Sequence, residues 1–282
     1  MTSSGKKNSI LPVLCTALLL SFTLMAPSCE IKINEVEDNS GYNFNYQGRA
    51  GVVISWDDSS VDDWYKARDL FKKYNVRCTF FVTNFCLLSE DEISKLRELQ
   101  KDGHEIACHG FSHKDAVLYY VENGMDRYVL DEIKPAIDSM RAKGFSPSSF
   151  AYPFGSRNSE TDEALLKYFR VLRGIVSGNK GNLYCWGRTR ILLATAIDDS
   201  YHVPLDSIYS TMETASESKE VAVFYGHRIE EGTGTSPGNY ATTYGRLEAI
   251  LKKASQLKLE FFTASELDVR NEASAYSRNV KP

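Results

Sequence analysis

Short apolar runs separated by longer amphipathic stretches characterise the chain from residue 48 onward. The apolar runs predict buried strands at residues 51–56, 76–82, 105–108, 150–152, 171–176, 190–194, 221–225 and 259–263. Stretches in which apolar residues recur every three or four positions predict helices at about 60–71, 89–102, 126–143, 160–169 and 243–257. Strands that alternate with helices in this way indicate βα units and a parallel sheet.

Several predicted helix ends carry local signals. Ser60 is a predicted N-cap, and Ser89 with Glu92 forms a predicted capping box, in which side chains and backbone N–H groups exchange hydrogen bonds. Gly103 ends the second of these helices. Pro135 is predicted to kink the helix at 126–143, because proline lacks a backbone N–H.

The number of βα units bears on the fold class. Six to eight such units within about 220 residues favour a single distorted (β/α) barrel over an open sheet, so the predicted fold class is α/β. The sequence shows neither an internal repeat nor a second domain, and we expect one domain at residues 48–282. In such a barrel the active site lies at the carboxyl ends of the strands.

The N-terminal segment has the character of an export signal. Lys6 and Lys7 precede an apolar run from Ile10 to Met25, an order that predicts a secretory signal peptide at residues 1–28. A retained membrane anchor is the alternative, but 16 residues are fewer than a bilayer-spanning helix ordinarily needs.

A cysteine follows this segment directly. The small residues before Cys29 resemble the cleavage site of a bacterial lipoprotein, although Ala26 stands where such sites usually carry leucine. We therefore expect lipidation of Cys29, with residues 29–47 as a polar tether between the lipid and the domain. The expected protein is exported and lipid-anchored at the bacterial cell envelope, on the periplasmic or the surface side, and contacts the membrane only through its lipid.

Composition and charge exclude several classes of protein. With 43% hydrophobic and 25% charged residues, the 282-residue chain is neither a polytopic membrane protein, a coiled coil nor a largely disordered chain. Its 33 basic and 37 acidic residues give a net charge of −4 without a dense basic block, which disfavours nucleic-acid binding. The cysteines beyond Cys29 lack C-x-x-C spacing and are compatible with disulfides or with buried thiols: Cys78, Cys86, Cys108 and Cys185.

Side chains with catalytic potential stand where predicted strands end. Because these ends meet at one face of a barrel, we expect the side chains to lie close together. They are Asp57 and Asp58 after the first strand, His109 and His113 after the third, the turn 153–155 after the fourth, and His227 after the strand at 221–225.

A divalent metal site is the first chemistry that these residues suggest. On a helical turn His109 and His113 would lie on one face, with Cβ atoms roughly 5–6 Å apart, close enough to share a zinc-sized ion. A carboxylate from a neighbouring strand end completes a site that leaves positions open for water and substrate. Helix capping is the alternative for the aspartates, but Ser59 and Ser60 already supply a cap. His104 is expected to be structural.

Four short motifs stand in order along the chain: residues 55–58 (SWDD), 109–113 (HGFSH), 151–155 (AYPFG) and 225–227 (YGH). In order and spacing they resemble the motifs T-F-D-D, H-[ST]-x-x-H, R-x-P-[YF]-G and L-x-H of the polysaccharide deacetylases of the NodB-homology type, the family 4 carbohydrate esterases. The resemblance covers nearly all of the predicted domain. It implies the NodB-type distorted barrel and a hydrolase that removes acetyl groups from N-acetylated polysaccharides or oligosaccharides.

The resemblance also implies roles for the residues at the strand ends. Asp58, His109 and His113 would hold a divalent metal, with zinc as the expected ion. Asp57 would be the general base that takes a proton from the attacking water.

Two further roles follow from the same resemblance. The backbone N–H of Phe154 would stabilise the oxyanion, and His227 would protonate the departing amine. The family motif D-x-x-D-W, which would orient that histidine, is not present, and Asp198 or Asp199 is the candidate to replace it.

A second departure concerns the base. Ala151 stands where the family carries an arginine that contacts the base, and Arg157, Arg188 or Arg190 are the candidates to reach the same carboxylate. These departures keep two alternatives open: a non-sugar amidohydrolase of the same fold, and a catalytically impaired surface lipoprotein that only binds glycan.

Two features near the motifs have open interpretations. The Gly- and Thr-rich segment 230–243 is either a lid over the substrate groove or a solvent-exposed loop. Four aromatic residues are candidates for stacking on sugar rings, although core packing is commoner: Trp56, Phe111, Tyr152 and Trp186. His202 is given no role.

Overall fold

The computed structural model describes residues 48–176, 181–232 and 240–268. The predicted signal peptide, the Cys29 lipidation site and the tether therefore lie outside the described residues, as do residues 233–239 of the segment 230–243. No helix within the described ranges is long and apolar enough to cross a membrane.

The strands of the described residues include all eight that the apolar runs predict. In chain order they are β1 (Gly51–Asp58), β2 (Thr79–Val82), β3 (Glu105–Cys108), β4 (Ser149–Ala151), β5 (Val171–Ile175), β6 (Leu183–Tyr184), β7 (Ile191–Ala196), β8 (Val221–Gly226), β9 (Arg228–Glu230), β10 (Ala241–Thr243) and β11 (Glu260–Phe262).

Seven parallel strands close into a barrel. Neighbouring pairs run from β1 through β2, β3, β4, β5 and β7 to β8, and residues 51–56 of β1 pair with residues 221–226 of β8. The predicted (β/α) barrel is confirmed. The barrel is distorted at β1, because β11 pairs with residues 51–53 on the same edge where β2 pairs with residues 55–58.

Alternation along the strands separates two hydrophobic layers. One buried cluster takes alternate residues of the barrel strands, such as Val53, Ala107, Ala151 and Val223, and fills the barrel interior. The other takes the intervening residues, such as Ile54, and packs them against the helices. The many alanines of the first cluster leave room inside the barrel for larger side chains.

The helices surround the barrel. They are α1 (Val61–Lys66), α2 (Arg68–Lys73), α3 (Glu90–Lys101), α4 (Ala116–Asn123), α5 (Met125–Tyr128), α6 (Lys134–Ala142), α7 (Ser159–Leu165), α8 (Leu205–Ser218) and α9 (Tyr244–Gln256). The capping box of Ser89 and Glu92 on α3 is confirmed. Ser60 is the N-cap residue of α1, but its side chain makes no capping hydrogen bond.

Sequence analysis did not anticipate α4 and α8. The only buried residue of α4 is Ala116, so this helix has no apolar stripe to detect. The buried face of α8 includes Thr211 beside Ile208 and Met212, which weakens its apolar periodicity.

The predicted helix at 126–143 is interrupted. A π-helical turn, Val129–Ile133, separates α5 from α6, and Pro135 lies in the first turn of α6. Proline has no backbone N–H to donate to the carbonyl oxygen four residues before it, as an α-helix requires, and the π turn lies where this bond is lost.

Two predictions about side chains outside the site have outcomes here. His104 is buried and its Nδ1 accepts a hydrogen bond from the backbone N–H of Cys78, which confirms a structural role. Cys78 and Cys108 are buried free thiols, as in the second of the two alternatives, and Cys86 is an exposed free thiol.

Candidate active site

The carboxyl end of β1 carries the two adjacent aspartates. Asp57 is 3% exposed and lies on the same side of β1 as Val53, which belongs to the barrel interior. Asp58 adopts a left-handed backbone conformation, with φ 83°, and its side chain is 41% exposed. The two carboxylates therefore differ in surroundings: one is enclosed in the barrel and the other lies at its mouth.

The loop after β3 brings His109 and His113 together. Their ring centroids are 4.9 Å apart in an edge-to-face arrangement. The helical turn that we expected between them is wrong for residues 109–113, all of which the structure describes. Gly110 and His113 instead have φ angles of 80° and 60°, so a tight loop with two left-handed residues brings the rings together.

Asp58, His109 and His113 fit a divalent metal ion. Asp58 Oδ1 lies 3.4 Å from His113 Nε2 and 3.7 Å from His109 Nε2. One donor atom from each of the three lies within 4.8 Å of the other two. Ligands about 2.0–2.1 Å from a tetrahedral ion are themselves about 3.4 Å apart, so small side-chain shifts bring all three to one ion.

A hydrogen bond determines the tautomer of His109. Its Nδ1–H donates to the carbonyl oxygen of Ala151 over 2.8 Å, because a carbonyl can only accept. Burial is the main cause that lowers the pKa of His109 to about 4, so the ring is neutral at neutral pH. A neutral imidazole with Nε2 unprotonated and its other nitrogen held by a carbonyl is typical of metal ligands.

Arg173 makes a buried ion pair with Asp57. Its Nη2 donates to Asp57 Oδ2, and both side chains are almost fully buried. Arg173 on β5 pairs in register with Ala151 on β4, where the small side chain leaves space in the interior. The guanidinium lies between two aromatic rings, 5.3 Å from the centroid of Phe81 and 5.0 Å from that of Tyr225.

This pair corrects the expectation for the base. The carboxylate that Arg157, Arg188 or Arg190 was expected to reach is bound by Arg173 instead, and Arg157 pairs with Asp162. The sequence does contain a signal that would have identified it, a single arginine inside the apolar strand at residues 171–175 (VLRGI).

The ion pair sets the charge state of Asp57. Burial alone would raise the pKa of this carboxyl, but the charge of Arg173, with smaller effects of His109 and His227, holds the pKa below its ordinary value. Its Oδ1 is buried and has no hydrogen-bond partner among the described residues. Asp57 is thus an ionised carboxylate with one oxygen free to accept a proton.

His227 is oriented by Asp198, one of the two candidates from the sequence. Its Nδ1–H donates to Asp198 Oδ2 over 2.5 Å, and its backbone N–H donates to Asp198 Oδ1 over 3.1 Å. Thr242 Oγ1 donates to the same buried carboxylate over 2.8 Å. Burial acts to lower the pKa of His227, but the hydrogen bond and charge of Asp198 raise it above its ordinary value.

The other candidate, Asp199, has a structural contact, because its carboxylate accepts the backbone N–H of Thr243 at the start of α9. Asp198 and Asp199 are adjacent in sequence, so only the tertiary structure distinguishes the residue beside His227 from the one that serves the helix.

Phe154 lies in the turn after β4. Its backbone has φ 59°, its side chain is 65% exposed, and its ring centroid is 4.6 Å from that of His113. Together with Asp58 and His113 it is one of three non-glycine residues of the site in the left-handed region, where strain is commonly stored at functional sites.

The exposed aromatic rings near the site differ from those expected. Tyr201 and Tyr240 are 42% and 50% exposed, with ring centroids 6.5 and 5.3 Å from that of His227. The four residues that we considered for sugar stacking pack in the core instead: Trp56, Tyr152 and Trp186 are buried, and Phe111 is half-buried.

Comparison with known proteins gives one family match. Residues 45–169 match the model of the family described as polysaccharide deacetylase. A stretch of 78 residues is 32% identical to part of a bifunctional xylanase/deacetylase from Pseudobutyrivibrio xylanivorans, and this stretch covers 28% of the chain. The match spans only 12% of the length of that relative.

Solved structures share the fold. The catalytic domain of a peptidoglycan N-acetylglucosamine deacetylase from Eubacterium rectale superposes with a TM-score of 0.51 at 19% identity, covering 80% of this chain and 93% of that one. A mutant of a family 4 carbohydrate esterase pseudoenzyme with restored activity gives 0.52 at 14% identity, with coverages of 79% and 70%. Identities this low establish the fold alone.

Proposed function

We propose that the chain is a metal-dependent hydrolase that removes acetyl groups from N-acetylated glycans, because residues 45–169 match the model of the polysaccharide deacetylase family. The observation that carries this proposal is the meeting of three groups at the carboxyl ends of the barrel strands. These groups are the Asp58, His109 and His113 cluster, the Asp57 and Arg173 pair, and the His227 and Asp198 pair.

Asp58, His109 and His113 would hold the ion, with zinc as the expected metal. A divalent ion bound there supplies a water of lowered pKa and polarises the carbonyl of the acetamide. Water attacks the carbonyl carbon, the C–N bond breaks, and the products are acetate and a free amino sugar.

The chain's own side chains move the protons. Asp57, which the charge of Arg173 keeps ionised, accepts a proton from the attacking water on its unpartnered Oδ1. His227 donates a proton to the departing nitrogen, because Asp198 keeps the imidazole protonated to higher pH. The backbone N–H of Phe154 donates a hydrogen bond to the developing oxyanion.

The two departures from the family motifs are matched by replacements in this chain. Arg173 binds the proposed base although Ala151 occupies the motif position, and Asp198 binds the proposed acid although the motif D-x-x-D-W is missing. These contacts support an active enzyme over a protein that only binds glycan.

The proposal extends to location and substrate. The signal-like segment 1–28 and Cys29 support export and a lipid anchor at the cell envelope. An exported deacetylase would meet acetylated polysaccharides or oligosaccharides there.

Acetate release from N-acetylglucosamine oligomers, measured with and without a chelator, tests this function. We expect release that stops with the chelator and returns with Zn²⁺. Release from a small non-sugar amide alone would favour the amidohydrolase alternative, and glycan binding without acetate would favour the impaired protein.

Two variants assign the roles. Asp57→Asn should abolish turnover while the purified protein keeps its metal, because the amide cannot accept the proton. His113→Ala should lose both metal and turnover. Metal content at the wild-type level in His113→Ala would contradict the ligand assignment.

A further inference from the structure

We propose that Glu132 is a positioning residue that holds the loop between His109 and His113 in its metal-binding shape. This inference rests on the proposed metal site. Glu132 lies in the π-helical turn Val129–Ile133, outside all four sequence motifs, and is 2% exposed.

Within the described part of the chain, the hydrogen bonds that the carboxylate of Glu132 accepts come from Ser112 and Lys114. Oε2 accepts the backbone N–H of Ser112 over 3.0 Å and the backbone N–H of Lys114 over 3.5 Å, and Oε1 accepts the hydroxyl of Ser112. These donors flank His113 on both sides. Among the residues that the structure describes, no lysine or arginine forms an ion pair with Glu132, so the loop supplies its main stabilisation.

Gly110 makes room for this carboxylate. A Cβ atom at position 110 would lie 3.2 Å from Glu132 Oε2, and the backbone there has φ 80°. A side chain at position 110 would therefore make a tight contact with the carboxylate, which would have to shift by a few tenths of an ångström. The shape of the loop therefore depends on Glu132, which lies on a different segment of the chain, and position 110 contributes no side chain to it.

The position of Glu132 follows from the π turn. Pro135 interrupts the helix three residues later, and the widened turn carries Glu132 on the buried side together with Val129 and Ile133. Single π turns inside α-helices are frequent at functional sites.

The inference predicts a change in metal affinity that does not depend on catalysis. In Glu132→Ala we expect binding of Zn²⁺ alone, measured by competition with a chromophoric chelator, to weaken about 10–100-fold. In Glu132→Gln the amide oxygen still accepts the backbone N–H groups and the amide NH₂ donates to the Ser112 hydroxyl. Binding within about threefold of the wild type is therefore expected for this variant.

Glu105→Ala is the matched control. Glu105 begins β3, at the opposite end of the strand that leads to His109, and its carboxylate likewise accepts several hydrogen bonds, including those of Thr79, Ser149 and Ser265. Removal of this carboxylate should lower the free energy of unfolding and leave the Zn²⁺ affinity unchanged. An equal loss of affinity in Glu105→Ala would show a general effect of destabilisation and overturn the inference.

Hydrogen exchange of the metal-free protein provides a second measurement. We expect the amides of Ser112 and Lys114 to exchange at least tenfold faster in Glu132→Ala than in the wild type, and close to the wild-type rate in Glu132→Gln. Because this experiment needs neither metal nor substrate, it tests Glu132 even if the wild type releases no acetate and the proposed function is wrong.

Unchanged Zn²⁺ affinity and unchanged exchange in Glu132→Ala would overturn the inference, as would a Gln variant as weak as the Ala variant. If Glu132→Ala does not fold, Ser112→Ala takes its place, since it removes one hydrogen bond to the carboxylate. We expect its Zn²⁺ affinity to fall at least about fivefold, and wild-type affinity in that variant would likewise overturn the inference.

Discussion

Single side chains decide the charge states on which the proposed reaction depends. Asp57 is buried, and an isolated buried carboxylate would tend to hold its proton. Arg173 on β5, which is not adjacent to β1 in the barrel, reverses this tendency. Asp198 acts in the opposite direction on His227 by favouring its protonated form. The proposed base and the proposed acid are thus held in complementary charge states, each by one partner.

Replacement of Arg173 tests the first partner. In Arg173→Met the pKa of Asp57 should rise, because burial is no longer opposed, so activity on the acid side is lost at a higher pH. We expect the acid limb of kcat/KM against pH to move upward by at least about one pH unit.

Arg157→Met is the control for this prediction, since Arg157 pairs with Asp162 and not with Asp57. Loss of a buried partner also costs about 3–5 kcal/mol of stability, so thermal unfolding is measured on both variants. If folded Arg173→Met keeps the acid limb at the wild-type pH, this result contradicts the role assigned to Arg173.

Replacement of Asp198 tests the second partner. In Asp198→Asn the pKa of His227 should fall, because the charge that raises it is gone, and the imidazole loses its proton at lower pH. The alkaline limb of the pH profile is then expected to move downward. Asp199→Asn, which changes the contact to Thr243 instead, should keep the wild-type limb.

At the scale of elements, the ends of helices and strands have separate tasks. The carboxyl ends of β1, β3, β4 and β8 lead into the site, whereas Ser89, the N-terminal cap of α3, is exposed to solvent and makes its capping hydrogen bond with Glu92. Stability and chemistry are therefore separable in this chain by the choice of element.

A cap variant tests this separation. Ser89→Ala removes the hydrogen bond that the side chain accepts from the backbone N–H of Glu92, and should lower the free energy of unfolding by about 1 kcal/mol. Urea unfolding measures this loss, and kcat/KM should not change. Ser159→Ala is a suitable control, because the cap of α7 is Asn158 and Ser159 only follows it; a loss as large there would argue against the capping effect.

At the scale of the whole molecule, the proposed metal would link two parts of the barrel that are about 50 residues apart along the chain. Asp58 comes from β1, while His109 and His113 come from the loop after β3, and β2 separates the two strands in the sheet. An ion that binds only the folded chain stabilises it by mass action.

Thermal unfolding measures this link. At a free Zn²⁺ concentration of about 100 times the dissociation constant, stabilisation of about 2.7 kcal/mol should raise Tm by roughly 5–10 °C. His113→Ala should abolish the shift. His202→Ala, a change in an exposed histidine outside the cluster, should retain it; an equal loss in both variants would point to nonspecific binding.

The sequence by itself determined the barrel and much of the proposed site. Alternating apolar residues identify strands because side chains on a strand point to opposite sides, and helical spacing identifies most helices for a similar geometric reason. The residues of the proposed site could be predicted because they follow the ends of predicted strands within five residues, a position that can be read from the sequence alone: Asp57, Asp58, His109, His113 and His227.

Only the tertiary structure decided which side chains support those residues. Arg173 is 116 positions from Asp57, and Glu132 is 20 positions from Ser112. Contacts of this kind depend on strand register and on a widened helical turn, which arise from the packing of the whole chain. The residues next to Asp57 or Ser112 in the sequence do not indicate these contacts. Partners such as Arg173 and Glu132, which come from other elements, can therefore be identified only from the folded barrel.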